Sequence, residues 1–107
     1  MMVATKSQRK GCIYFIQCAT GPIKIGHGTN VEYRLSNLQM GNPNRLTLLT
    51  WFPCADPQQT EVELHERFTA HRLRGEWFSP APELVELVRQ IHEARRDVVC
   101  DVLQLSL

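Results

Sequence analysis

Four side chains of this sequence have the chemical types that a reaction on a phosphodiester needs. Tyr14 supplies a phenol, Lys24 an ammonium group and Arg34 a guanidinium. Glu61 adds a carboxylate further along the chain. Ammonium and guanidinium groups bind phosphate oxygens, whereas carboxylates bind hard divalent cations. Taken singly, each residue has an ordinary explanation in a strand or on a helix surface, so the prediction of a site rests on their combination.

The secondary structure predicted for the chain places these four residues on neighbouring elements. Aromatic and β-branched residues predict a strand over 11–18, and a Gly-Pro turn separates it from a second strand over 23–26. The remaining predicted elements are a helix over 30–40, a strand over 45–53, a helix over 57–70, an extended return over 71–78 and a last helix over 82–99. This order predicts an α+β domain with a small antiparallel sheet under helices.

Glu61 occupies an unusual position on the helix predicted over 57–70. Helical spacing puts it on the same stripe as Leu64, His65 and Phe68, and the two apolar residues make that stripe core-facing. A carboxylate there is costly unless it is paired or bound to a cation. A helix-start carboxylate favoured by the helix dipole is the alternative interpretation. We interpret His65 as a half-buried helix histidine.

Length and composition predict one domain. The 107 residues allow a single modest core, and residues 1–10 are polar and basic, which predicts a mobile arm. The chain lacks an apolar run of the roughly 20 residues that a membrane span needs, and its N-terminus does not resemble a signal peptide. We therefore expect a cytoplasmic protein with reduced cysteines and no membrane partner. A zinc site from Cys54, His65 and His71 is a minor alternative, because paired short-range ligands are missing.

The net charge of +1 conceals an asymmetry between the two halves of the chain. Residues 1–50 contain six Lys and Arg residues against one acid, whereas residues 51–107 contain six Arg residues against ten acids. The first half therefore carries about +5 and the second about −4. Such a split indicates that one face of the protein meets a polyanion.

Five short segments, in order and with compatible spacings over residues 11–78, resemble the GIY-YIG nuclease superfamily. The resemblance is closest to its small phage and bacterial branch, in which the second motif is K-I-G. None of the segments is specific alone, but five in register are. They are Cys12-Ile13-Tyr14, Lys24-Ile25-Gly26, Arg34, Glu61-Val62-Glu63-Leu64-His65 and Arg74-Gly75-Glu76-Trp77-Phe78.

The resemblance implies a three-stranded antiparallel sheet flanked by helices, with a nuclease-like core over 11–79 and a helical extension over 80–107. It also implies divalent-metal-dependent cleavage of DNA, for which so small a domain predicts low sequence specificity. Tyr14 would position or deprotonate the attacking water, Arg34 would hold the scissile phosphate, and Glu61 would bind Mg²⁺ or Mn²⁺. We expect contacts with the DNA backbone from Lys24, His27, Arg34, Arg45, Arg72 and Arg74.

The sequence departs from the superfamily pattern at several positions. Cys12 replaces the first glycine, Lys24 replaces the second tyrosine, and Leu38 stands where histidine or tyrosine is frequent. Lys24 can contact phosphate or, if desolvated, act as a base. Two alternatives to a nuclease stay open. One is a catalytically weak or inactive nucleic-acid-binding module that acts as an accessory to a larger complex. The other is a structural or protein-interaction domain. The second would use the acidic last helix, which also offers a homodimer interface and carries Glu83, Glu86, Glu93 and Asp97.

Overall fold

The computed structural model describes residues 11–106, with side chains up to residue 95, so the predicted arm over 1–10 lies outside the described residues. The chain alternates short strands with three α-helices, and a 3-10 turn at Thr69–His71 follows the second helix. The elements are β1 (Cys12–Cys18), β2 (Ile23–Gly28), α1 (Val31–Met40), β3 (Leu46–Pro53), α2 (Pro57–Arg67), β4 (Arg72–Arg74), β5 (Trp77–Phe78) and α3 (Pro82–Ser106). The α+β class is confirmed.

The sheet has five strands in the order β3-β1-β2-β5-β4, so the prediction of three strands is wrong. All four neighbouring pairs are antiparallel. The two additional strands arise from the segment predicted as an extended return. Gly75 turns this segment with a φ of 57°, after which Trp77 pairs with Lys24 and Phe78 pairs with Ile23. Strand β4 is exposed and only three residues long, which is too short for an alternating pattern to give a strand signal.

The interior strand β1 is buried on both faces. Ile13 and Phe15 lie on one face and Tyr14 and Ile16 on the other, as the alternation of strand side chains predicts. The first face is covered by α2, by Phe68 directly after it, and by α3 through Leu84 and Val88. The second face is covered by α1 through Val31, Leu35 and Leu38. The sheet therefore separates two apolar clusters.

The helix boundaries follow local signals in the sequence. Asn30 caps α1 by accepting a hydrogen bond from the backbone N–H of Tyr33 at 3.0 Å, and Asp56 caps α2 in the same way. Pro57 occupies the first position of α2, where its missing N–H costs nothing. The last helix is longer than predicted, since it continues to Ser106. Within the described residues, we find no helix with the length and apolarity that a membrane span requires.

Gly26 allows the ring of Tyr14 to pass directly beneath β2. A Cβ atom at this position would lie 2.6 Å from both Cζ and the hydroxyl oxygen of Tyr14. A Cβ at Gly28, on the same face of β2, would lie 3.8 Å from the same ring, an ordinary van der Waals distance. The ring of Tyr14 thus approaches Gly26 more closely than it approaches Gly28.

Gly26→Ala is expected to destabilise the protein by about 1–3 kcal/mol, because the added methyl group overpacks a buried aromatic ring. Gly28→Ala is the matched control and is expected to change stability by less than about 1 kcal/mol. Urea unfolding followed by circular dichroism measures both. Equal losses in the two variants would contradict the close packing of Tyr14 under Gly26.

Candidate functional site

The candidate site lies along the outer edge of β2. Strand β5 pairs with β2 only at Ile23 and Lys24, and the backbone N–H of Ile25 donates to the carbonyl of Glu76 at 3.0 Å. Beyond that point, side chains of α2 line this edge in place of a neighbouring strand. His65 on α2 donates from Nε2 to the carbonyl of Ile25 at 2.9 Å, and its ring lies 5.2 Å from that of Phe78. His65 thereby fixes α2 to the strand, and its partial burial agrees with the sequence interpretation.

Tyr14 and Arg34 meet on the face of the sheet that α1 covers. Tyr14 is only 1% exposed, and its hydroxyl accepts a hydrogen bond from Nε of Arg34 at 3.3 Å. Burial raises the pKa of Tyr14 above its ordinary value of 10.0, although the guanidinium of Arg34 opposes this. The carboxylates of Glu76 and Glu61 act in the same direction as burial. Tyr14 therefore keeps its proton at neutral pH.

Glu61 is paired with a residue that the sequence analysis assigned to DNA contacts. Glu61 is 8% exposed, and its Oε2 lies 3.0 Å from Nδ1 of His27. His27 sits near the end of β2 and remains exposed on its other side. The pairing explains how a carboxylate on the core-facing stripe of α2 is tolerated.

Lys24 is buried and paired with Glu76. The lysine is 6% exposed, its Nζ donates to Oε1 of Glu76, and it lies 5.9 Å from the centre of the Trp77 ring. Burial would raise the pKa of Glu76, but Lys24, His65 and His27 together lower it below the ordinary value of 4.5. Glu76 is consequently ionised at neutral pH. It is also the more exposed member of the pair, so Glu76 separates the lysine from solvent.

Sequence reasoning considered Glu76 only as a stand-in for the late asparagine of the GIY-YIG superfamily, which has no clear counterpart in this chain. The only signal was its place in the R-G-E-W-F segment, because a glutamate in a turn does not by itself indicate a buried ammonium partner. The hairpin of β4 and β5 brings it to Lys24, across 52 positions of sequence. A contact of this kind depends on strand pairing that the sequence did not predict.

Three of the arginines assigned to DNA contacts lie apart from the Tyr14 and Glu61 cluster. The carbonyl of Arg45 accepts a hydrogen bond from Ala19 in the turn between β1 and β2. Arg72 lies over the ring of Phe78 at 5.2 Å and donates to the carbonyl of Gly75. Arg74 is exposed on the edge strand β4. Their exposure suits contacts with a polyanion but not a direct part in chemistry at Tyr14.

The residues of the minor zinc alternative are not grouped. Cys54 contacts Thr60 at 3.0 Å, His65 binds the backbone of β2, and His71 contacts Glu83 at 2.9 Å. In the part of the chain that the structure describes, no three His, Cys, Asp or Glu residues are arranged to hold a metal ion. The donor set of Glu61 nevertheless fits Mg²⁺, which commonly binds through one or two carboxylates together with water and substrate phosphate.

The fold and the site define a small α+β domain in which a phenol and a guanidinium meet on one face of the sheet, while a buried carboxylate lies beside strand β2 from the other side. The family description T5orf172 domain matches residues 11–99, and the chain belongs to this family. No curated protein and no solved structure matched the chain.

The raised pKa of Tyr14 predicts how the protein behaves in alkali. In a Tyr33→Phe variant Tyr14 is the remaining tyrosine, and its ultraviolet absorbance should show ionisation above pH 10. Adding Arg34→Ala should raise the pKa further, whereas adding Glu61→Gln should lower it.

The same shift links Tyr14 to stability. Because the folded pKa lies above the unfolded one, the contribution to stability is complete below pH 10 and is lost as the pH rises through the folded pKa. Circular dichroism at each pH shows whether the titrating protein is still folded. Ionisation of Tyr14 below pH 10 in the folded protein would contradict the burial argument.

Proposed function

We propose that this protein is a divalent-metal-dependent DNA endonuclease with low sequence specificity, related to the GIY-YIG nucleases. The observation that carries the proposal is the arrangement of Tyr14, Arg34 and Glu61 around the Gly26 segment of β2. The charge of Glu61 acts on the phenol of Tyr14, although the two residues come from opposite sides of the sheet. A phosphodiester at this edge would meet all three groups.

Tyr14 would position the attacking water. Because its pKa is raised, the phenol is protonated at neutral pH and can donate a hydrogen bond, and this favours positioning over deprotonation. Arg34 uses Nε to bind Tyr14, and this leaves its terminal nitrogens for a phosphate. The guanidinium would then offset charge that develops on the phosphoryl oxygens.

Glu61 would hold Mg²⁺ or Mn²⁺, and the bound ion would supply Lewis-acid polarisation of the phosphate. Low exposure keeps the carboxylate in one orientation at the edge of the sheet, and His27 contacts one of its oxygens. Lys24 contributes positive charge beneath this edge, although Glu76 is its direct partner. Phosphate backbone contacts would extend to the exposed arginines of β4.

The second candidate is a nucleic-acid-binding module without turnover. Burial of Lys24 behind Glu76 favours it, because the ammonium group that replaces the second tyrosine is already occupied. The protein-interaction alternative is less favoured. Glu83 pairs with His71, and Glu86 and Glu93 both pair with Arg89, while the side chain of Asp97 lies outside the described residues. Helix α3, predicted as a homodimer interface, packs its apolar residues up to Ile91 on the chain's own core.

Nicking of supercoiled plasmid with Mg²⁺ or Mn²⁺ tests the enzyme. The parent should nick DNA, and chelation should stop it. Arg34→Ala should slow nicking about 10²–10³-fold through lost charge stabilisation. Tyr14→Phe should slow it about 10²-fold or more, and Glu61→Ala should abolish it because the metal ligand is lost.

Glu63→Ala is the matched control, since Glu63 is an exposed carboxylate on the same helix. It should nick at the parental rate. The enzyme proposal fails if the parent nicks no DNA form, or if Glu61→Ala and Glu63→Ala behave alike. Binding of DNA without any nicking would support the second candidate.

A further inference from the structure

A second concave feature lies beside the candidate site, near the turn that joins β1 to β2. It is a mainly apolar cavity between that turn, the loop after α1 and the β4–β5 hairpin. None of the roles proposed above uses it as a whole. Its lining residues are Cys18, Pro22, Asn42, Leu73, Arg74 and Trp77.

The walls of the cavity carry an indole and an exposed aliphatic side chain. Trp77 is half-buried, and Leu73 is 57% exposed although it is a large apolar residue. Leu73 lies between two exposed arginines on β4. An exposed apolar side chain between cations is a common feature of surfaces that contact nucleic acid bases, where aliphatic and aromatic groups pack against base faces.

The rim of the cavity carries hydrogen-bond donors. Asn42 uses its Oδ1 to accept a hydrogen bond from the backbone N–H of Asn44 at 2.9 Å, so its amide nitrogen is the group left to donate. Neither that nitrogen nor the guanidinium of Arg74 donates to any residue that the structure describes. A nucleobase is a flat ring with hydrogen-bond acceptor atoms on its edge. It therefore matches an apolar slot that offers two donors.

Trp77 lies between the cavity and Lys24 of the candidate site. The indole lines the cavity, while Nζ of Lys24 lies 5.9 Å from the centre of the same ring. Glu76, which precedes Trp77, is the partner of that lysine. A base in the cavity and a phosphate at the edge of β2 would therefore belong to neighbouring parts of one strand.

We propose that this cavity binds an unpaired nucleobase, stacked on Trp77 and Leu73 and hydrogen-bonded by Arg74 and Asn42. The inference rests on the proposed nucleic-acid binding and adds the substrate class: DNA with an unpaired nucleotide next to the cleaved bond. Fully paired DNA would bind through its backbone alone. The positive charge of β4 favours a base carried on a phosphate backbone over a basic or purely apolar ligand.

Binding without divalent metal tests the cavity independently of cleavage. Three duplexes of one sequence serve as probes: fully paired, with one extra unpaired nucleotide, and with an abasic residue in its place. The unpaired base should tighten binding about 5- to 150-fold over the abasic form. In a Trp51→Phe variant, which retains Trp77 as its only tryptophan, the unpaired base should quench fluorescence and the abasic duplex should not.

Leu73→Ala and Arg74→Ala should remove most of this preference. Val85→Ala, another exposed apolar residue, should keep it, and Arg72→Ala should weaken binding to all three duplexes alike. Equal affinity for the base and abasic duplexes would overturn the inference. If the plasmid is nicked without a base preference, only the cavity assignment fails. A base preference without nicking would support the cavity while the enzyme proposal fails.

Discussion

The close approach of Tyr14 to Gly26 is the contact on which the arrangement of the site depends. The ring crosses beneath β2, so the hydroxyl reaches the region where Arg34 approaches from α1. A side chain on β2 at this point would displace the ring and with it the partner of Arg34. The same burial that fixes the phenol also raises its pKa, so packing and proton affinity have one cause. The space left by the missing side chain of Gly26 therefore determines both the position of the Tyr14 hydroxyl and the direction of its pKa shift.

The partial pairing of β2 is a second constraint. Strand β5 is two residues long, and past its end His65 satisfies the carbonyl of Ile25. The imidazole of His65 takes the place of a backbone N–H from a neighbouring strand. The carbonyl of Ile25 is therefore satisfied, while this edge of β2 stays accessible from the side. Glu61 lies one helical turn from that histidine, so the contact that covers the edge also sets the carboxylate beside it. The contact of His65 with Ile25 thus covers β2 where its strand pairing ends and also places Glu61 at the site.

Much of this could be predicted from local patterns, and what could not depends on distant pairing. Alternation along β1, the side-chain caps at Asn30 and Asp56, and the stripe position of Glu61 are properties of short windows of sequence, and the structure contains all of them. The β4–β5 hairpin was missed because its strands, of three and two residues, are too short to show a periodic pattern. The pairing of Lys24 with Glu76 was missed for the same reason, since no local sequence rule pairs a strand lysine with a turn residue 52 positions away. Helical spacing indicated that Glu61 needs a partner but not that His27 would supply it.

Helix α1 is attached to the sheet less firmly than the other two helices. None of its residues is fully buried, and two of its large side chains, Tyr33 and Met40, face solvent. An element with so little buried surface detaches at a lower free-energy cost than the global unfolding of the domain. Arg34 would leave with it, while Tyr14 and Glu61 would remain on the intact sheet and α2. Local opening of this one helix would therefore remove Arg34 from the proposed site and return it on timescales far shorter than unfolding, and a polymer bound as we propose would enter and leave by that route.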